Sequence, residues 1–364
     1  MSKFLSKLAL SLDPYVPGEQ PKDKKYVKLN TNENPYPPSQ MVQDAIASAT
    51  SDLRLYPDPD ATAVREAIAK YYNDALALQG DAVIDSDNVF IGNGSDEVLA
   101  FVFPTFFKGK KIAFADITYS FYPVYCALFE IPYQLIPLTE DFSYDMDAYT
   151  GAGDDIGGIL LCNPNAPTGR ALSLAEVETI LDANRDKLVL VDEAYVDFGG
   201  ETAVALVNRY DNLLVCQTLS KSRQLAGMRV GAAIACKEVI AGLNAVKNSF
   251  NSYTADRLGI AAAKAAFEDV AYFDETRNKI MATRERTVKA LEAMGFDVIP
   301  SKANFVFAKP SGMPAAELFK KLRDDGILVR YFNKPRIDDR LRITIGTDEE
   351  MDAMLASARK ILGK

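Results

Sequence analysis

Leu188-Val189-Leu190-Val191-Asp192-Glu193-Ala194-Tyr195 joins a continuous apolar run to two acidic residues and a tyrosine. Side chains that are apolar at successive positions predict a strand covered on both faces, which is typical of parallel sheets between helices. Ligands of open α/β sheets bind beyond the carboxyl ends of the strands. The stretch therefore predicts an α/β fold with polar groups at a ligand-binding edge, although a local cap made by Asp192 explains that residue equally well on its own.

Further apolar runs alternate with stretches of helical periodicity. The predicted strands are 89–91, 111–115, 156–162, 213–216 and 230–235. The predicted helices are 61–73, 95–103 and 172–184. This alternation predicts a mostly parallel central sheet in an α/β layer architecture.

The chain changes in pattern after about residue 248. A helix-rich stretch, 255–294, precedes predicted strands at 296–299, 304–307, 327–331 and 341–345 and predicted helices at 314–325 and 348–362. The first forty residues are rich in proline, which favours an extended arm over a helix. We therefore predict an N-terminal arm with part of a small domain at 1–44, a large domain at 45–250 and a smaller α+β domain at 251–364.

Composition and charge exclude several classes of function. Of the 364 residues, 48% are hydrophobic and 25% are charged, as in ordinary globular proteins. The net charge of −9 disfavours a nucleic-acid partner, because phosphates are neutralised by clustered basic residues. The chain contains no histidine, which excludes histidine-dependent nucleophiles, imidazole bases and histidine-ligated metals. An enzyme of this composition must move protons with Lys, Tyr, Asp, Arg or a cofactor.

The four cysteines, at positions 126, 162, 216 and 236, have no CxxC spacing. This favours buried thiols over disulfides or a metal site. No apolar stretch approaches the length of a membrane span, and residues 1–12 carry no cleavable signal pattern. We therefore predict a cytoplasmic protein with no metal and no membrane partner.

Other loops that directly follow predicted strands also carry polar groups. Gly92-Asn93-Gly94-Ser95-Asp96-Glu97 opens a helix, whose N–H groups and dipole suit a phosphate. Thr218-Leu219-Ser220-Lys221-Ser222-Arg223 puts a candidate Schiff-base lysine at the same edge, where burial and cations lower the pKa of an amine. Asn163-Pro164-Asn165-Ala166-Pro167-Thr168-Gly169 offers amide groups on a stiff turn. Each motif taken alone also has an interpretation without a ligand: the first as a capped turn, the second as a surface lysine and the third as an ordinary loop.

Together, the loops bring an anion cradle, an amide, an acid with a tyrosine, and a lysine to one edge of the sheet. Arg229 precedes the next predicted strand and can return to the same edge. A phosphorylated, carbonyl-bearing, nitrogen-heterocyclic cofactor needs this set of partners, and pyridoxal 5′-phosphate fits it.

With these motifs in order, the chain resembles the fold-type I pyridoxal-phosphate aminotransferases and, within them, the histidinol-phosphate aminotransferases. The resemblance runs from Leu29-Asn30-Thr31-Asn32-Glu33-Asn34-Pro35 to Leu341-Arg342-Ile343-Thr344-Ile345-Gly346-Thr347. It implies a large domain with a mostly parallel sheet beside a smaller α+β domain. It also implies that L-histidinol phosphate and 2-oxoglutarate, a small amino donor and a 2-oxo acid, give imidazole-acetol phosphate and glutamate in histidine biosynthesis.

The resemblance further implies a role for each site residue. Lys221 would form the Schiff base and shuttle protons, Asp192 would pair with the pyridinium nitrogen, and Tyr195 would hydrogen-bond the phenolic oxygen. The other implied cofactor-binding residues are Gly94, Ser95, Asp96, Ser220 and Arg229 at the phosphate, Tyr119 stacked on the ring, and Tyr56 reaching the phosphate of the partner subunit. The implied substrate-facing residues are Tyr15, Asn34, Arg330 and Arg342. A shared Tyr56 implies a homodimer with shared active sites.

One position departs from the family pattern. The asparagine that usually precedes Pro-Thr-Gly and contacts the phenolic oxygen is Ala166 here, so Asn163, Asn165 or Tyr195 alone would serve that oxygen. Three alternative functions stay open: an aromatic amino-acid aminotransferase, a threonine-phosphate decarboxylase and a non-catalytic binding protein. The presence of Lys221, Asp192 and Arg342 together disfavours the last of these.

Overall fold

A computed structural model of the chain describes residues 3–364, so the first two residues of the segment 1–12 lie outside the described residues. The strands are β1 (Val27–Lys28), β2 (Val89–Asn93), β3 (Lys111–Ala115), β4 (Tyr133–Ile136), β5 (Ile156–Cys162), β6 (Leu188–Asp192), β7 (Leu213–Thr218), β8 (Val230–Ala235), β9 (Asp297–Ile299), β10 (Phe305–Lys309), β11 (Ile327–Leu328), β12 (Arg330–Tyr331) and β13 (Leu341–Thr344). The α-helices are α1 (Lys7–Ser11), α2 (Gln40–Ala49), α3 (Thr62–Ala75), α4 (Gly94–Val102), α5 (Tyr122–Phe129), α6 (Met146–Thr150), α7 (Leu174–Ala183), α8 (Lys237–Phe250), α9 (Arg257–Glu268), α10 (Val270–Ala293), α11 (Ala315–Asp324) and α12 (Asp348–Leu362).

The large sheet has seven strands in the order β2-β8-β7-β6-β5-β3-β4. Strands β3 to β7 run parallel, and β8 runs antiparallel to both of its neighbours, β2 and β7. The prediction of a mostly parallel sheet in an α/β fold is therefore confirmed. Strand β4 was not predicted, because this edge strand has three exposed residues at its start and no continuous apolar run.

Parallel pairing gathers the ends of successive strands at one edge of the large sheet. Cys162, Asp192 and Cys216 lie side by side in register on β5, β6 and β7. At the same edge, Thr218 pairs with Gly231, and α4 begins directly after β2. The loops that carry the predicted site therefore start from neighbouring points.

The small sheet is antiparallel, with the strand order β12-β13-β10-β9. The predicted single strand at 327–331 is split at Val329, because β11 pairs with β1 in a separate two-stranded sheet whereas β12 joins the small sheet. The predicted helical stretch 255–294 is likewise divided into α9 and α10, since the side chain of Asp269 caps the second helix by accepting from Tyr272 N.

The N-terminal arm crosses the molecule to reach the last strands. It is extended as predicted, apart from α1, which precedes the first proline and is capped by Ser6. Val27 pairs with Ile327, and the carbonyl of Leu29 accepts a hydrogen bond from the backbone of Thr344 at 3.0 Å. The predicted boundary at 44/45 falls inside α2.

Side chains from both sheets contribute to one buried apolar cluster. It includes Phe90 and Leu214 of the large sheet and Phe305 and Ile343 of the small one. Within residues 3–364, every helix is too short or too polar to cross a membrane. All four cysteines are free thiols.

Candidate active site

Asp192 ends β6 with its carboxylate buried. Oδ2 accepts a hydrogen bond from the hydroxyl of Tyr122 at 2.7 Å, and Oδ1 accepts one from the backbone of Ala194 at 3.2 Å. Burial raises the pKa of Asp192 to about 6, and the hydrogen bond from Tyr122 opposes that rise. The carboxylate can therefore pair with a cationic ring nitrogen. Sequence reasoning missed Tyr122, because a tyrosine at the start of α5 looks like an ordinary core residue.

Lys221 lies in the loop after β7, with Nζ 3.3 Å from the carbonyl oxygen of Thr31. Burial, together with the nearby cations Arg342 and Arg229, lowers the pKa of Lys221 to about 8. An amine with this pKa has a substantial neutral fraction near neutral pH and can attack a carbonyl carbon. The side-chain amide of Asn34 donates to the carbonyl of Lys221 at 2.8 Å, so Asn34 holds the main chain of this loop.

Tyr195 is buried near Lys221, and its ring packs edge-on against Phe305. Its hydroxyl oxygen accepts a hydrogen bond from Nδ2 of Asn32 at 2.9 Å. Burial raises the pKa of Tyr195 to about 12, so the side chain is a neutral phenol at physiological pH. Asn32 is a second residue that sequence reasoning missed as a site residue.

Gly94 and Arg229 form an anion cradle at the first turn of α4. Gly94 has φ +77°, and a Cβ at this position would lie 2.5 Å from a terminal guanidinium nitrogen (Nη2) of Arg229. Nη2 of Arg229 donates to Oδ2 of Asp96 at 3.1 Å, while Tyr119 donates to Oδ1 of Asp96 at 3.1 Å. Ser95 lies in the same turn, so the N-terminus of α4 and the Arg229 guanidinium are neighbours.

Ser220 lies beside this cradle in the loop after β7. Its hydroxyl oxygen accepts from Thr218 at 2.9 Å, and Thr218 pairs with Gly231, where a Cβ would lie 2.3 Å from the backbone nitrogen of Ser95. The structure therefore brings together the predicted phosphate-binding residues, which are Gly94, Ser95, Asp96, Ser220 and Arg229.

The two asparagines offered as replacements for the missing amide make their hydrogen bonds to residues other than Tyr195. Asn163 is bonded through both side-chain atoms to the main chain of Leu172, at 2.8 and 3.2 Å. Nδ2 of Asn165 donates to the carbonyl of Ile117 and to Thr168, both at 3.0 Å, and its buried Oδ1 has no hydrogen-bond partner among residues 3–364. Neither amide contacts Tyr195, so the amide at that phenol comes from Asn32 instead.

Aromatic side chains cover one side of the site. The ring of Tyr15, from the arm, lies 5.0 Å from that of Phe121 and 6.5 Å from that of Tyr119. Tyr119 in turn packs edge-on against Tyr122. Tyr15 of the arm and Tyr119, the predicted ring-stacking residue, are therefore neighbours.

Arg330 and Arg342 face each other in register on β12 and β13. Both guanidinium groups lie 5.5 Å from the ring centre of Phe332. Arg342 donates to the carbonyl of Asn30 at 2.9 Å, and its buried Nε has no hydrogen-bond partner in the described part of the chain. Burial lowers the pKa of Arg342, and the charge of Arg330 adds to that effect. Across residues 3–364, carboxylates pair with other arginines but not with these two, so the pair can receive an external anion.

Tyr56 lies outside this group. Its side chain is 79% exposed, and its ring stacks on that of Tyr253 at 4.8 Å. Arg257 holds the backbone carbonyl of Tyr56 at 2.7 Å, while the Tyr56 hydroxyl has no hydrogen-bond partner in the described part of the chain. Tyr56 is therefore largely exposed to solvent, with its ring held against Tyr253.

Comparison with known proteins identifies the family. Residues 24–358 match the family model described as aminotransferase class I and II. The chain belongs to this aminotransferase family. It is 56% identical over 363 residues to histidinol-phosphate aminotransferase 1 of Bordetella parapertussis, a match that covers 99% of each chain. It is also 52% identical over 364 residues to the histidinol-phosphate aminotransferase of Clostridium acetobutylicum, covering 100% of each.

The fold of this aminotransferase is shared with solved structures. The crystal structure of histidinol-phosphate aminotransferase from Sinorhizobium meliloti, in complex with pyridoxal-5′-phosphate, has a TM-score of 0.88 at 24% identity, covering 100% of this chain and 98% of that one. An aspartate aminotransferase from Thermus thermophilus, in complex with maleate, has a TM-score of 0.80 at 19% identity, covering 93% of this chain and 92% of that one. These likenesses confirm the predicted fold-type I architecture.

The residues of the aminotransferase site fit pyridoxal 5′-phosphate. The N-terminus of α4 and the Arg229 guanidinium supply donors suited to a phosphate, and Gly94 lets them approach closely, because a Cβ there would lie 2.5 Å from Nη2 of Arg229. Lys221 supplies an amine of lowered pKa, and Asp192 supplies a buried anion at the end of the neighbouring strand. The unpartnered Oδ1 of Asn165 and Nε of Arg342 show that hydrogen-bonding capacity remains for bound molecules.

Proposed function

We propose that this aminotransferase converts L-histidinol phosphate and 2-oxoglutarate to imidazole-acetol phosphate and glutamate, a step of histidine biosynthesis. The paired guanidinium groups of Arg330 and Arg342 are the observation that carries the substrate assignment. The names of relatives at 56% and 52% identity support it. Pyridoxal 5′-phosphate is the cofactor, and it supplies a carbonyl that exchanges amino groups and a cationic ring that draws electrons from the substrate Cα.

Different residues of the chain transfer the proton and bind the charged groups of the cofactor. Lys221 takes the proton from the substrate Cα as a general base. It later gives this proton up again as a general acid. Asp192 keeps the proton on the ring nitrogen, and Tyr195 donates to the phenolic oxygen. The residues of the cradle hold the cofactor phosphate, while Tyr119 covers the ring.

The arginine pair explains how one site accepts two unlike substrates. Histidinol phosphate has a phosphate and no carboxylate, whereas glutamate and 2-oxoglutarate carry carboxylates. A planar guanidinium binds either anion with two parallel hydrogen bonds, so Arg330 and Arg342 serve both. Tyr15 closes the site from the arm, and Asn34 shapes it by holding the Lys221 loop.

The assembly we propose is a homodimer with shared active sites. The exposed hydroxyl of Tyr56 is available to the cofactor phosphate of a second subunit, and Tyr253 and Arg257 fix the segment that carries it. We further propose a cytoplasmic location, which suits four free thiols, and the domain division 1–44, 45–250 and 251–364.

A substrate panel with matched donors tests the proposed reaction. Histidinol phosphate and histidinol differ only in the phosphate, so the ratio of their kcat/KM values isolates phosphate recognition. We expect the wild type to favour histidinol phosphate by about tenfold to a hundredfold or more, since each charge-assisted hydrogen bond contributes about 1.5–3 kcal/mol. Arg330→Gln should lower this ratio. Arg323→Gln, which removes an exposed arginine paired with Glu19, is the control and should not.

The same panel separates the alternatives. Higher kcat/KM with phenylalanine or tyrosine would identify an aromatic amino-acid aminotransferase, and carbon dioxide release from threonine phosphate would identify a decarboxylase. A protein that binds the cofactor but shows no spectral change with any amino donor would be a binding protein. Each result would contradict the proposed reaction.

A further inference from the structure

Asn32 forms the polar link between the arm, the small sheet and the large sheet. Its Nδ2 donates to the Tyr195 hydroxyl at 2.9 Å, and its Oδ1 accepts from the hydroxyl of Thr344 on β13 at 2.9 Å. The backbone N–H of Asn32 donates to the same Thr344 oxygen at 3.0 Å, and Asn304 donates to the Asn32 carbonyl at 3.0 Å. All four side chains are buried.

The backbone of Asn32 has a left-handed conformation, with φ of +57°. Asparagine tolerates this region better than most residues other than glycine. Because Oδ1 of Asn32 accepts from the Thr344 hydroxyl, the side-chain amide has one orientation, with its nitrogen toward the phenol. Asn32 is therefore a fixed donor to Tyr195.

A fixed donor at the Tyr195 oxygen decides where the tyrosine's own hydrogen goes. A hydroxyl oxygen that already accepts a hydrogen bond directs its O–H toward another acceptor, and it becomes a stronger donor. This matters here because Ala166 has no amide to offer, while the amide nitrogens of Asn163 and Asn165 donate to Leu172, Ile117 and Thr168. Asn32 is the amide that contacts the phenol.

We infer that Asn32 is a positioning residue for the phenolic oxygen of the bound cofactor, acting through Tyr195 in place of the direct amide contact that Ala166 lacks. Thr344 orients Asn32, Asn32 donates to Tyr195, and Tyr195 donates to the phenolic oxygen. The inference rests on the proposed contact between Tyr195 and that oxygen.

The visible absorption of the bound cofactor, titrated with pH, provides a test that does not depend on activity. The titration follows the proton shared between the phenolic oxygen and the Lys221 nitrogen. A donor to the oxygen stabilises its negative charge most when that proton has left, so losing the donor raises the observed pKa. Asn32→Gly is the best variant, because glycine keeps the left-handed backbone without strain. We expect a rise of about half to one pKa unit, the effect of one neutral hydrogen bond.

Two further variants separate positioning from stability. Thr344→Val keeps the shape but removes the hydroxyl that orients Asn32, and we expect a smaller rise in the same direction. Asn304→Ala removes a buried amide that holds the Asn32 carbonyl but does not lead to Tyr195, and we expect no rise. Thermal unfolding of each apoprotein verifies that it folds. If Asn32→Gly fails to fold, Thr344→Val carries the test.

Introducing Asn32→Gly into the Tyr195→Phe variant tests whether Asn32 acts through Tyr195. If the inference holds, Tyr195→Phe raises the observed pKa by itself, and adding Asn32→Gly raises it no further. A shift with Tyr195→Phe but none with Asn32→Gly overturns the role of Asn32 alone. Additive shifts, or an equal shift with Asn304→Ala, also overturn it. No shift with Tyr195→Phe contradicts the proposed contact of Tyr195 itself, and with it the relay.

Discussion

The hydroxyl of Tyr122 lies 2.7 Å from Oδ2 of Asp192, and both side chains are buried. Burial raises the pKa of Tyr122 well above its usual value, so the phenol keeps its proton and acts as a donor. Desolvation favours the protonated carboxyl, and this hydrogen bond favours the carboxylate. Without this hydrogen bond the pKa of Asp192 would be higher than about 6. Tyr122 thus helps to keep Asp192 anionic near neutral pH.

Tyr122→Phe is expected to raise the pKa of Asp192. A hydrogen bond to a charged group contributes about 1.5–3 kcal/mol, which corresponds to roughly one to two pKa units. Because ionisation then needs a higher pH, the acid limb of the kcat profile should move upward, and activity at neutral pH should fall. Tyr144→Phe is the matched control, because this buried tyrosine donates to the carbonyl of Cys162 at 2.7 Å instead of to the carboxylate. An unmoved acid limb in Tyr122→Phe would contradict the assignment.

The capture of pyridoxal 5′-phosphate by the apoenzyme should follow the ionisation of Lys221. The neutral amine is the nucleophile, so the rate of capture should rise through pH values near 8 and level off above. Arg342→Gln removes a cation that lowers this pKa, and the midpoint should move to higher pH. Reduction with borohydride should fix the cofactor to one peptide containing Lys221, and Lys221→Ala should give no labelled peptide. A label on another lysine would refute the assignment.

Gly94→Ala is expected to weaken cofactor binding by blocking the anion cradle. The added Cβ would lie 2.5 Å from the Arg229 guanidinium, and the positive φ adds strain of about 1–2 kcal/mol. Gly80→Ala is the matched control, since Gly80 also has a positive φ but no atom within 4 Å of the new Cβ. Both variants should lose stability, but the dissociation constant for pyridoxal phosphate should increase in Gly94→Ala alone. Equal affinities would show that the cradle does not hold the phosphate.

Mixed dimers test whether Tyr56 serves the neighbouring subunit. Mixing Tyr56→Phe with Lys221→Ala subunits gives, if sites are shared, one heterodimer site with both Lys221 and Tyr56 intact and one with both defects. If sites are not shared, each site carries one defect. The loss of a hydrogen bond to a charged phosphate costs about 1.5–3 kcal/mol, so the assay is best run at limiting cofactor. Activity no better than the weighted average of the parents would assign Tyr56 to its own subunit.

Continuous apolar runs made the interior of the large sheet predictable. Strands β3, β5 and β8 begin and end where the sequence analysis expected, because strands covered on both faces leave a contiguous apolar signal. Strand β4 was not predicted because three of its four residues are exposed. The break at Val329 between β11 and β12 was not predicted. It depends on the pairing of the arm with β11, which is a contact between distant parts of the chain.

The same division applies to the site. Asp192, Lys221 and the cradle could be predicted because they lie in loops that follow strands of the sheet. Parallel pairing alone brings such loops to one edge, however the rest of the chain packs. Tyr122 and Asn32 could not, because each acts through a partner far away in sequence, 70 residues away for Tyr122 and 163 for Asn32. The signal that could have found Asn32 is its residue type, an asparagine suited to a left-handed turn between polar neighbours.

The pairing of the arm with the last strands has a consequence for the order in which the protein is made. Residues 27–34 leave the ribosome early, yet β11 and β13, to which Val27 and Leu29 are hydrogen-bonded, emerge some three hundred residues later. The large sheet can form while synthesis continues, but the Asn32 link cannot close before Thr344 has been added. A nascent chain that has not yet reached Thr344 therefore contains Lys221 and Asp192 but lacks the arm contacts that complete their surroundings, and those contacts form only after β13 has been made.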